Sequence, residues 1–144
     1  MSSLRRPIAL AAVIGILACL GCGGAQQTLK DRTEVSGTVT FDGTSGTMSR
    51  SVSNDNGGTG VFVTAPSLST TTMAIDDHAS SNNAGNGIDA QVFSAAAVYV
   101  TVSRSAMSGN TQHGAHAMTS GQGTARITLS YSELMGNVVA GATA

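Results

Sequence analysis

The 144-residue sequence predicts an all-β solenoid of short strands stacked in coils of 27 residues. Three observations carry that expectation. The stretch TMSRSVSNDN at residues 47–56 returns as TVSRSAMSGN at residues 101–110, two periods later. Gly60, Gly87, Gly114 and Gly141 are each 27 apart, as are Asn56, Asn83, Asn110 and Asn137. Apolar residues alternate within a period, as at Val98, Val100 and Val102, which is the two-residue rhythm of a strand and not the helical one of about 3.6.

The chain opens with MSSLRRPIALAAVIGILACLGCGG, in which Arg5 and Arg6 precede an apolar run from Ile8 to Leu20. Such a run falls short of the roughly 20 residues that a helix needs to cross a bilayer. It reads as an export signal. Its end resembles a bacterial lipoprotein signal, in which an aliphatic residue and two small ones precede a cysteine: Ile16, Leu17, Ala18 and Cys19 fit, and so does Cys22 after Leu20 and Gly21. The resemblance implies a leader over residues 1–22, lipidation at Cys19 or Cys22, and a lipid-anchored protein of the bacterial cell envelope. Both cysteines lie in the leader, so no disulfide framework holds the domain. Residues 23–45 begin as a polar tether and continue as EVSGTVTFDG, where the repeat phase fails; they are expected to form a linker or N-terminal cap.

Residues 46–144 carry the repeats. Val61, Ile88, Ala115 and Ala142 share a phase, as do Met73, Val100 and Ile127, and Ile75, Val102 and Leu129. One coil cannot bury its apolar side alone, whereas stacking at ~4.8 Å places like upon like. The units VTVSRSAMSGN, ITLSYSELMGN and GNGIDA resemble those of the right-handed parallel β-helix, the pectate-lyase-like architecture. The resemblance implies a solenoid of about three to four coils, truncated in its fourth copy. It also implies a ladder of Asn56, Asn83, Asn110 and Asn137, whose amides both donate and accept and whose residue type suits left-handed turns.

Composition excludes several functions. Charged residues make up 10% of the chain and aromatic ones 3%, with no Trp. Without Arg5 and Arg6 the net charge is −3, so no basic patch for nucleic acid exists. No phosphate loop, nucleophile elbow, zinc spacing or other cofactor motif is present. On the expected outer faces, Arg50, Asp77, Arg104 and Tyr131 form one column, read as an exposed charge ladder with Asp77 between two arginines. Phe62, Asp89, His116 and Thr143 form another, expected to face solvent. Asp89 beside His116 is the one candidate general-base pair. His78 replaces a Ser in the column of Ser51, Ser105 and Ser132 and is expected at the surface.

The sequence thus predicts a non-catalytic exported surface scaffold for adhesion or weak carbohydrate contact. Its partners are the membrane, through the lipid, and polysaccharide, through a wall of Ser, Thr and Asn. Uncapped solenoid ends predict self-association. The alternatives are a fragment of a polysaccharide lyase or glycoside hydrolase, or a gene fragment without independent function.

Overall fold

The computed structural model describes residues 26–29, 33–34 and 39–143. The leader, with Cys19 and Cys22, lies outside the described residues. Within them the chain is all strand and loop: β1 (Gln26–Leu29), β2 (Thr33–Glu34), β3 (Val39–Asp42), β4 (Ser45–Val52), β5 (Val61–Thr64), β6 (Thr70–Ala79), β7 (Ile88–Val92), β8 (Ala97–Ser103), β9 (Ala106–Ser108), β10 (His113–Thr119), β11 (Thr124–Ser130), β12 (Glu133–Met135) and β13 (Ala140–Thr143). Every pairing is parallel. One long ladder runs β1-β4-β6-β8-β11 and a second runs β13-β10-β7-β5-β3. A short third ladder joins β9 to β12 and to the end of β6. Each full coil therefore contributes one strand to each of the two long ladders, and the chain is a parallel β-solenoid.

Register holds at 27 residues through the body, with Met73 opposite Val100 and Val100 opposite Ile127. It is shorter at the start, where Gln26 pairs with Ser45 and Val39 with Val61. A lag of 27 misses this first coil because its loops are shorter, although its strands still join the ladders.

The core follows from alternation. In β8, Val98, Val100 and Val102 point inward and are at most 1% exposed, while Tyr99 and Thr101 face out. Met48, Ile75 and Val102 stack along the axis, as do Val61, Ile88 and Ala115. Burying one such side chain contributes about 1.5–3 kcal/mol. The glycine column has a steric reason. A Cβ on Gly87 would stand 2.5 Å from the Gly114 carbonyl oxygen and 2.9 Å from Asn110 Nδ2. The chain must lie close to the next coil at this point, and only glycine fits.

Each coil bends at two left-handed positions. The first bend is the column Arg50, Asp77, Arg104 and Tyr131, and the second is Asp55, Asn82, Gly109 and Gly136, all with positive φ. The turn role expected of Asn56, Asn83, Asn110 and Asn137 therefore belongs to neighbouring residues. Asn56, Asn83 and Asn110 instead occupy the interior, and Asn137 is half-buried at the last rung. The Asn83 backbone N–H donates to Asn110 Oδ1 at 3.1 Å and Asn83 Nδ2 donates to the same oxygen at 2.9 Å. Asn110 repeats both bonds to Asn137.

Candidate functional site

Three polar constellations stand out. The first lies at the outer side of the second ladder. Asp89, on β7, registers beside His116, on β10, and His116 Nδ1 lies 2.8 Å from Asp89 Oδ1. The other carboxylate oxygen accepts from Asn86 Nδ2 and from Gln91 Nε2, both at 2.8 Å. These neighbours close over the carboxylate, so Asp89 is 3% exposed, contrary to the solvent-facing position expected for its column. His116 remains partly accessible, and Phe62 in the preceding coil is half-buried. With Nδ1 carrying the proton toward Asp89, the imidazole presents Nε2 as an acceptor, the arrangement of an oriented base. The His113 ring stacks on that of His116, with centroids 5.0 Å apart. Among the described residues no group of three His, Cys, Asp or Glu is placed to hold a metal ion.

The second constellation is interior and centres on His78. Sequence reading put this side chain at the surface, but it is 2% exposed. Its Nδ1 lies 2.8 Å from Ser51 Oγ, and its backbone N–H donates to Ser105 Oγ at 3.1 Å. The column is buried because its serines satisfy one another and the backbone along the axis. Ser105 Oγ and Ser132 Oγ, for example, each donate to the carbonyl two residues earlier. Burial pushes the His78 pKa down to about 4, opposed in part by a hydrogen bond to Ser51.

The third is a groove of about 560 Å³ along the first left-handed corner. Arg50, Asp77, Arg104 and Tyr131, from four successive coils, form its lip, with Glu133 beside them and His78 below. The charge ladder expected here is rearranged. Arg104 pairs with Asp76 and not with Asp77, because the corner turns Asp77 away from the strand in which Asp76 meets Ser103. The sequence columns contained these residues but not the groove. A concavity depends on the angle between two ladders, which no residue pattern records.

No family model, no curated protein and no solved structure matches the chain.

Proposed function

We propose that the protein is an exported, lipid-anchored β-helix of the pectate-lyase-like kind. It acts at the bacterial cell envelope as a scaffold for adhesion or weak carbohydrate contact, without chemistry of its own. The outer face of the long ladder supports this reading. Thr101 and Thr128 register next to one another, Thr72, Tyr99 and Arg126 form the adjoining column, and all five are exposed. Hydroxyls repeating at ~4.8 Å along the axis offer donors and acceptors in a regular array, as a repeating polyhydroxylated polymer does. Tyr99 adds an amphipathic ring to that array. Sparse aromatics keep the contact weak.

Co-sedimentation of the full chain with cellulose or chitin particles tests the reading. The protein is expected to pellet, and the combined change Tyr99→Ala, Thr101→Val and Thr128→Val is expected to reduce the bound fraction several-fold. Absence of wild-type binding to a broad set of insoluble polysaccharides would overturn the carbohydrate reading.

The 2.8 Å contact between Asp89 and His116 favours a second reading, a piece of a polysaccharide-cleaving enzyme with His116 as base. Turnover of a polysaccharide that disappears in both Asp89→Asn and His116→Ala would support it. Turnover unchanged in both variants would remove it.

A further inference from the structure

The two left-handed corners of each coil are built from different residues. The second is Asp55, Asn82, Gly109 and Gly136, types that tolerate positive φ. The first is Arg50, Asp77, Arg104 and Tyr131, with φ of 47°, 51°, 47° and 48°. Arg and Tyr gain nothing from this conformation, and glycine or asparagine would make the same bend with less strain. What the first corner obtains from them is a row of long polar side chains along one groove. Strain retained at three of the four rungs, Arg50, Arg104 and Tyr131, points to a use for those side chains.

The lining indicates the ligand. Arg104 is already paired with Asp76, and Arg50 stands with Asp77 and Glu133, so the groove carries no positive excess. The lack of positive excess disfavours a uronate polymer. Guanidinium groups donate and carboxylates accept, so together they match the hydroxyls of a sugar. Tyr131, 91% exposed, adds an aromatic side chain to the lining at the last rung. Four rungs extend over about 14 Å, enough for several sugar units.

We infer that this corner groove binds a segment of an uncharged oligosaccharide. The inference rests on the carbohydrate reading above and assigns a short soluble segment to the groove, while the threonine wall contacts insoluble polymer. The chain has two tyrosines and no Trp, so Tyr99→Phe leaves Tyr131 as the sole strong fluorophore. Titrating that full-length variant with cellohexaose, laminarihexaose and maltohexaose should give a saturable change in emission with at least one of them. Hexagalacturonate should bind at least about ten-fold more weakly.

By calorimetry, Arg104→Ala and Tyr131→Gly should each weaken binding at least about ten-fold. Tyr131→Gly should do so without lowering the melting temperature, because glycine relieves the strained corner. If the wall variant loses the hexaoses while both groove variants bind as wild type, the groove assignment fails and the carbohydrate reading stands. If neither hexaoses nor insoluble polysaccharides bind, both fail. A Tyr131→Gly variant that melts lower and still binds would show the corner to be structural only.

Discussion

His78 and His116 occupy the same solenoid less than two coils apart, yet their surroundings differ in kind. His78 points inward among Ser51, Ser53 and Ser105, where no carboxylate compensates a charge, and burial holds it neutral until pH reaches about 4. His116 points outward against Asp89, a carboxylate itself held by Asn86 and Gln91. The difference shows what a stacked coil does with a polar residue. On an inward position it becomes part of a ladder along the axis, and its contribution is to stability. On an outward position it is free to be oriented by a neighbour, and its chemistry stays accessible.

The largest effect is expected where the inward arrangement is broken completely. Asn83 accepts the Asn56 backbone N–H at 3.1 Å and donates its own amide to Asn110 and to Ser80. Asn83→Leu removes the acceptor and leaves the Asn56 N–H buried without it. Each buried polar group stranded in this way costs about 1–3 kcal/mol. Urea denaturation should show a loss of about 3 kcal/mol or more. A loss below about 1 kcal/mol would mean that the interior ladder is not a principal support of the stack.

The interior histidine makes stability depend on pH. The folded-state pKa of His78 is depressed below its ordinary 6.5, so between 6.5 and about 4 the unfolded chain binds a proton that the folded one does not. Its contribution is fully present above pH 6.5 and is lost as pH falls toward 4, by up to about 3 kcal/mol. His78→Ser matches the column of Ser51, Ser105 and Ser132 and contains no titrating ring. Comparing urea midpoints of the two proteins at pH 7 and pH 4.5 should therefore show the variant losing less. Equal losses would mean that His78 titrates normally when folded.

These comparisons also mark what could be read from the sequence. Columns were legible because like-on-like stacking demands the same residue type at the same phase, as with Val61 and Ile88 or with the glycines that pass close to the next coil. Inward and outward faces of a strand were legible for Val98 to Val102, where polar and apolar residues alternate. They were not legible for His78, a polar residue on the inward side of a serine column. Nor was the burial of Asp89 legible, since it depends on Asn86 and Gln91 folding over a face that alternation marks as open. The first left-handed corner carried no signal because Arg, Asp and Tyr do not announce positive φ. The second carried one in Asp55, Asn82, Gly109 and Gly136, a single phase of turn-forming types, yet the turn was read one residue later, on the asparagines.

The smallest effect is expected on the outward side, and it is the one that separates orientation from support. Asp89 has three partners, so removing His116 leaves its carboxylate still bonded to Asn86 and Gln91. His116 is itself partly solvated and can exchange a lost bond for water. His116→Ala should therefore cost about 1 kcal/mol, the net value of one hydrogen bond, in contrast to the Asn83 variant. A double-mutant cycle with Asp89→Asn isolates the pair. An interaction energy of about 0.5–1.5 kcal/mol would match a single oriented contact. A value near zero would mean that Asp89 does not hold the imidazole in solution, and the case for His116 as an oriented base would go with it. A value near that of the interior ladder would instead make this pair a structural support, and the contrast between inward and outward positions would fail.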